Sequence, residues 1–192
     1  MMRTGAIVAT AVVGGLGVAG AVLKRRRGRE APSFVSRFEV RAPLEAVARF
    51  YADPRALKRL TPPPTLMRIH RLEPMGEGSV SDFTMWVGPI PIRWRAVHSQ
   101  FDRLRGFTDT QERGPMARWV HRHSYRALAA DRTEVNDQIW YRHPDGWRGW
   151  ATRLLFSRAP LRLLFAYRAW ATRRALGPRE SRPGATGPGE AA

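Results

Sequence analysis

Six consecutive runs of alternating apolar and polar residues, joined by short turns, occupy the middle of the chain. They span residues 66–73, 79–87, 92–102, 106–112, 118–128 and 133–142. Alternation places successive side chains on opposite faces of a β-strand, and connections this short join antiparallel neighbours. The pattern therefore predicts one antiparallel meander.

A further strand and several helical segments flank the meander. Residues 34–40 alternate as a strand, and Pro43 then opens a helix that is followed by a second short helix and the proline run 62–64. Residues 150–176 are helical in character, and we expect an interruption or kink at Pro160. One sheet curled around this last helix is the economical arrangement, because the inner face of the sheet needs an apolar cover.

The N-terminal segment from Gly5 to Leu23 contains nineteen residues without a charge. At 1.5 Å per residue a helix of this length spans about 30 Å, the thickness of a bilayer core, which predicts a transmembrane helix. A cleaved signal peptide is the alternative, because residues 19–21 have the small-x-small form of a processing site. Basic residues follow the segment rather than precede it, which favours an uncleaved anchor with a cytoplasmic C-terminal domain.

The expected organisation has five parts. An N-terminal stub (1–4) precedes the transmembrane helix (5–23), and a basic juxtamembrane linker (24–32) leads into a ligand-binding domain (33–176). Residues 177–192 are rich in Gly, Pro and Ala, which predicts a disordered tail. The localisation expected from this layout is a single-pass membrane protein.

The formal charge of +17 is unevenly distributed along the chain. Residues 1–33 carry +5, residues 34–147 carry +5 and residues 148–192 carry +7. Most of the excess thus lies at the ends, where it favours contact with anionic headgroups. No nucleic-acid-binding motif accompanies the charge, so we expect no nucleic-acid partner. Because the chain has no cysteine, disulfides and thiolate metal sites are excluded.

The run from Arg118 to Arg126 indicates what the inner face of the sheet carries. Its three arginines share one strand face with Val120 and Ser124, and they will not face a core. The opposite face, which carries two aromatic residues and two histidines, is therefore predicted to point inward. Alternate residues of the neighbouring runs also share one face, and this adds more side chains to the interior. The expected ligand-binding residues are Trp94, His98, Gln111, Trp119, His121, His123, Tyr125, Asp137 and Tyr141.

So many polar groups do not fit a plain apolar core, because each buried polar group costs about 1–3 kcal/mol when it is unpaired. A partly hydrated ligand cavity is the natural interpretation. Gln111 and Trp119 are expected to contact a ligand or to join neighbouring strands.

Several segments of the chain resemble the SRPBCC superfamily, which includes START lipid-transfer domains, polyketide aromatase/cyclases and coenzyme-Q-binding proteins. The resemblance covers residues 33–176 and is carried by segments 60–63, 88–94, 107–115 and 119–123, together with Asp137 and Tyr141. It implies an α+β helix-grip fold, in which a seven-stranded antiparallel sheet wraps around a long C-terminal helix and encloses an apolar cavity. It implies no particular activity, because this superfamily contains binders, transporters and enzymes.

The polar interior suggests acid/base chemistry, metal binding or plain hydrogen bonding. His121, His123 and Asp137 are the candidate catalytic residues, since histidine titrates near neutrality. A metal bridging His121 and His123 with His98 or Asp137 is the weaker alternative, because no third ligand is evident. Hydrogen-bonded cavity histidines are favoured, and no metal or cofactor is expected.

Three functions remain open at this point. The first is a membrane-anchored protein that binds or carries a hydrophobic small molecule such as a lipid, a quinone or a polyketide-like compound. The second is a cyclase or dehydratase that uses the His/Asp cluster. The third is an interaction module whose cavity is filled by its own side chains.

Overall fold

The computed structural model describes residues 30–177. Within these residues seven strands and four helices follow one another, and we number them in chain order. The elements are β1 (Phe34–Val40), α1 (Leu44–Ala52), α2 (Ala56–Arg59), β2 (Leu66–Leu72), β3 (Val80–Val87), β4 (Ile90–Asp102), β5 (Gly106–Arg113), β6 (Arg118–Ala129), β7 (Arg132–Arg142), α3 (Gly146–Phe156) and α4 (Arg158–Leu176).

All seven strands form one antiparallel sheet in the order β1-β7-β6-β5-β4-β3-β2. Strands β2 to β7 pair with their neighbours in sequence, which confirms the predicted meander. The first strand closes the other edge by pairing with β7, where Phe38 lies opposite Val135. The expected helix-grip arrangement of sheet and C-terminal helix is confirmed.

Apolar residues of α1 and α4 cover the inner face of the sheet. On α1 the buried side chains are Val47, Ala48, Phe50 and Tyr51. On α4 the side chains of Leu161, Phe165, Ala169 and Thr172 are buried; they recur every three or four residues and so form one stripe along the helix.

The C-terminal helical region is divided at Ser157, and the expected break at Pro160 is wrong. Ser157 is extended (ψ 175°), and its carbonyl accepts the first hydrogen bond of α4, from the N–H of Leu161 at 3.1 Å. Pro160 lies in the first turn of α4, where a missing N–H costs nothing. The helical region also begins at Gly146, before the predicted residue 150.

The expected membrane localisation is contradicted by the helices of the described chain. Between residues 30 and 177 no helix combines the length and the apolar composition needed to cross a bilayer. The longest, α4, has 19 residues and carries five arginines. The predicted transmembrane helix at 5–23 lies outside the described residues, as do the stub 1–4, most of the linker 24–32 and residues 178–192 of the tail.

Candidate functional site

A cavity of about 330 Å³ lies between the inner face of the sheet and the helices. Most of its wall is apolar, with contributions from β2, β3 and β4 on the sheet side and from α2, α3 and α4 on the helix side. The apolar lining includes Leu57, Leu60, Met67, Phe83, Met85, Trp94, Phe156, Leu164 and Phe165. Trp94 and Trp119 meet edge to face in this wall, with ring centroids 5.4 Å apart.

Strand β6 supplies the polar end of the cavity. Its residues alternate strictly, so that Trp119, His121, His123 and Tyr125 are buried while the arginines at 118, 122 and 126 are exposed. The inward face predicted for this strand is therefore confirmed. His121 and His123 lie on the same face two residues apart, and their ring centroids are 3.8 Å apart.

Each of the strands that flank β6 places one carboxylate beside these histidines. Asp109 of β5 lies opposite His121, and Asp137 of β7 lies opposite His123. His123 Nε2 is 3.1 Å from Asp109 Oδ2, and His121 Nε2 is 3.0 Å from Asp137 Oδ1. We call Asp109, His121, His123 and Asp137 the His/Asp cluster.

The other two ring nitrogens of the cluster also face a carboxylate. His121 Nδ1 is 3.4 Å from Asp109 Oδ2, and His123 Nδ1 is 2.8 Å from Asp137 Oδ1. The second contact lacks the directionality of a hydrogen bond, so His123 Nδ1 has no hydrogen-bond partner among residues 30–177. Each imidazole thus has one nitrogen directed toward Asp109 and the other toward Asp137.

Burial and charge pairing act in opposite directions on the pKa values of the cluster. Burial raises the pKa of a carboxyl group, but the contacts with His121 and His123 outweigh it and hold the pKa values of Asp109 and Asp137 well below their usual range. Burial lowers the pKa of an imidazole, but contacts with both carboxylates raise the pKa of His123 to about 9. The charged forms of these three groups are therefore favoured in the folded protein.

Five of the nine predicted ligand-binding residues line the cavity: Trp94, His98, Trp119, His121 and His123. Burial lowers the pKa of His98, whose Nδ1 lies 3.0 Å from the Ser79 hydroxyl and 2.9 Å from the Ser79 carbonyl. Asp137 lies behind the histidines, where its side chain is 3% exposed. A role of these five residues and Asp137 in binding a ligand stays a prediction.

The remaining three predicted residues lie away from the cavity wall. Gln111 folds onto the loop between β5 and β6, where its side-chain amide donates to the Met116 carbonyl (2.8 Å) and accepts from the Met116 N–H (3.2 Å). Tyr125 packs against Tyr51, with centroids 5.2 Å apart. The ring of Tyr141 stacks on the ring of Trp119, with centroids 6.1 Å apart.

Asp109, Tyr51 and Arg168 are among the cavity-lining residues that were not predicted. Asp109 shares the parity of Phe107 on β5, and this was the available signal for its inward position. Tyr51 of α1 and Arg168 of α4 line the cavity from the helix side. The Nε atom of Arg168 is buried and has no hydrogen-bond partner within residues 30–177. Arg168 lies three residues after Phe165 and four before Thr172, and this position along the buried stripe of α4 was the available signal.

No family model and no curated protein matches the chain. Several solved structures do. An aromatase/cyclase (Zhui) from a Streptomyces species superposes with a TM-score of 0.57 at 18% identity, over 74% of this chain and 91% of that one. Norcoclaurine synthase from Thalictrum flavum, in complex with dopamine and hydroxybenzaldehyde, gives 0.56 at 17% identity, over 74% and 84%. A protein from Thermus thermophilus gives 0.56 at 16% identity, over 73% and 97%.

These neighbours show that about three quarters of this chain has the helix-grip fold. This fold is the one known from SRPBCC and Bet v1-like proteins. The fold supports the resemblance seen in the sequence. At identities below 25% the likeness concerns the fold, and this fold carries both ligand-binding proteins and cyclases.

Proposed function

We propose that the protein binds a hydrophobic small molecule in the cavity between the sheet and the C-terminal helices. The observation that carries the proposal is an apolar cavity of about 330 Å³ with a polar cluster at one end. Its volume lies at the lower end of the range of about 300–1,000 Å³ that is usual for small-molecule sites. Candidate ligands include quinones, polyketide-like aromatics and lipids.

The distribution of polar groups narrows the ligand class to amphipathic molecules. The apolar wall, with its two edge-to-face tryptophans, suits an aromatic or polycyclic body. Arg168 offers an Nε that has no hydrogen-bond partner among the described residues, and the histidines offer polar atoms on the sheet side. A ligand with a carbonyl or carboxylate group would satisfy these groups, because a buried donor without a partner is costly.

Displacement of a fluorescent probe tests this proposal. We expect 1-anilinonaphthalene-8-sulfonate to bind with saturation, and a panel of naphthoquinone, anthraquinone carboxylate and long-chain fatty acid to compete with it. Ala96→Phe places a ring in the cavity, since Ala96 is buried in its wall, and it should reduce probe affinity at least tenfold.

The matched control is Ala127→Phe, which adds the same ring at an exposed position of β6 and should leave probe binding unchanged. Leu57→Trp fills the cavity from α2 and provides a second test if Ala96→Phe folds poorly. Probe binding that is equal in the wild type and both cavity variants would exclude this cavity as the binding site.

Acid/base catalysis of a cyclisation or dehydration is the second candidate function. The observation that favours it is a hydrogen-bonded pair, His123 with Asp109, that opens directly onto the cavity. A histidine in this position can donate a proton to a bound carbonyl compound. For a substrate found by the binding screen, His121→Gln and His123→Gln should abolish turnover and preserve binding. Unchanged turnover in both variants would remove the histidines as acid/base groups.

A further inference from the structure

We propose that Asp109, His121 and His123 form a binding site for one divalent transition-metal ion, with an open coordination position that faces the cavity. One ligand atom from each of the three residues lies within 4.8 Å of the other two. The sequence offered His121 and His123 as a pair without a third ligand. Strand β5 supplies that ligand, because its pairing with β6 places Asp109 directly opposite His121.

Two of the three donor–donor distances match a small tetrahedral ion, and the third, between the two imidazole nitrogens, is within 4.8 Å. Asp109 Oδ2 is 3.4 Å from His121 Nδ1 and 3.1 Å from His123 Nε2. With metal–ligand bonds of about 2.1 Å, the edge of a tetrahedron is about 3.4 Å. The ion therefore requires only small movements of side chains that already converge.

Asp137 lies where a supporting carboxylate is needed. Histidine ligands of metals generally use their second nitrogen to contact a carboxylate or a carbonyl, which fixes the ring orientation and raises ligand basicity. Here the nitrogens directed away from Asp109 both face Asp137 Oδ1, at 3.0 Å for His121 and 2.8 Å for His123. Asp137 thus orients the His121 ring by a hydrogen bond and contacts the His123 ring without hydrogen-bond geometry.

The charges of the cluster are compatible with a divalent cation. Two carboxylates with 17% and 3% exposed side chains require positive charge nearby, because an unpaired buried charge is expensive. A divalent ion held by Asp109 and the two histidines carries two positive charges, which equal the charge of the two carboxylates.

The position of the three ligands makes the ion accessible. Asp109, His121 and His123 all line the cavity, so a fourth ligand would approach from the cavity side. Three protein ligands and one open position are typical of catalytic metal sites, where the ion polarises a carbonyl or activates water. Two imidazole nitrogens with one carboxylate favour zinc, iron, cobalt or nickel over magnesium or calcium.

Metal binding can be measured on untagged protein stripped with a chelator. Titration with Zn²⁺, followed by calorimetry and by elemental analysis after desalting, should give one ion per chain. Co²⁺ should give the intense visible absorption of a four-coordinate ion. Asp109→Asn and the double variant His121→Gln/His123→Gln should each lower Zn²⁺ affinity at least a hundredfold.

Asp137→Asn provides the test of positioning, and it should lower Zn²⁺ affinity about 10–100-fold while retaining one ion per chain. His70→Gln and Asp131→Asn are the controls, because both residues are exposed and lie outside the cluster, and they should bind as the wild type does. Circular dichroism establishes that each variant is folded.

If the variants unfold, the proposal can be tested on the wild type. Anomalous scattering measured at the zinc edge from a crystal of the wild-type protein locates the bound ion. A peak between Asp109, His121 and His123 supports the site. Less than 0.2 ion per chain, or a peak elsewhere, overturns it. Probe binding measured in chelator reports on the proposed function separately, because the apolar wall needs no metal.

Discussion

At the scale of single residues, the polar end of the cavity depends on close contact between the backbones of β5 and β6. Gly106 begins β5 with φ of +122°, a conformation that strongly disfavours other residues. A Cβ atom built on it would lie 2.0 Å from the carbonyl oxygen of His123. Because that oxygen belongs to the backbone, a larger residue displaces the strand that carries the histidines.

Gly106→Ala should therefore lower the free energy of unfolding by at least about 3 kcal/mol, through backbone strain and the steric conflict with β6. Urea denaturation followed by tryptophan fluorescence measures this. Gly76→Ala is the matched control, because its Cβ would meet no atom within 4 Å, and it should change stability little. Equal stabilities of the two variants would contradict the contact between the strands.

At the scale of elements, a buried hydrogen bond joins the first helix to the last. Tyr51 Oη lies 3.1 Å from Thr172 Oγ1, and the Thr172 hydroxyl donates to the Arg168 carbonyl at 2.8 Å. Since a threonine hydroxyl has one proton, Tyr51 is the donor to Thr172. This bond fixes α1 against α4 beside the cavity.

Removal of that hydroxyl in Tyr51→Phe should cost about 1 kcal/mol of stability, the usual value for one hydrogen bond. Thermal and urea unfolding provide the measurement. Tyr167→Phe, on α4, is the comparison, and it should lower the stability by less than Tyr51→Phe does. An unchanged stability of Tyr51→Phe would mean that the helices are held by apolar contacts alone.

A second element-scale interaction joins β3 to β4. The carboxylate of Asp82 accepts two hydrogen bonds from Arg93, at 2.8 and 3.0 Å, and these hold the pKa of Asp82 below its usual value of 3.8. A lowered carboxyl pKa means that the folded state favours the charged form. Its contribution to stability is therefore present above about pH 4 and is lost as the pH falls through the folded-state pKa.

Asp82→Asn should accordingly be less stable than the wild type at pH 6, and the difference should shrink as the pH is lowered below 4. Urea midpoints across this range measure the effect. Asp131→Asn, in an exposed turn, should show no such convergence. A difference that stays constant from pH 6 to pH 2 would exclude charge pairing as its origin.

At the scale of the whole molecule, the buried residues of the described chain form two hydrophobic clusters, and members of both line the cavity. One cluster of buried residues gathers around α1 with Phe38, Val47 and Tyr51, and the other gathers around Trp94, Trp119 and Phe165. The two clusters contact α4 at different positions along its length, through Ala169 and through Phe165. A ligand between them adds apolar contacts that the protein does not make by itself.

Ligand binding should thus stabilise the whole domain. A bound quinone or fatty acid at a free concentration one hundred times its dissociation constant should raise the free energy of unfolding by about 2.7 kcal/mol. Differential scanning fluorimetry across a concentration series measures the shift. The ligand-induced shift in melting temperature should persist in Ala127→Phe and disappear in Ala96→Phe. A shift that persists in both variants would place the ligand outside the cavity.

Strand parity made much of the site predictable. The inward direction of Trp119, His121 and His123 follows from the exposed arginines that alternate with them, which is a local property of one strand. The same reasoning placed Gln111, Tyr125 and Tyr141 in the site, and none of the three lines the cavity. Alternation along a strand decides which face of the sheet a side chain is on, but it does not decide how far the side chain is from the cavity.

The sequence by itself determined the number of strands, their antiparallel order and the inward face of β6, because these depend on local alternation and short turns. The tertiary structure decided which polar groups meet. Asp109, Asp137 and Arg168 reach the cavity region from β5, β7 and α4, and their convergence depends on strand register and helix placement. Those are set by contacts between residues far apart in the chain, which no local pattern encodes.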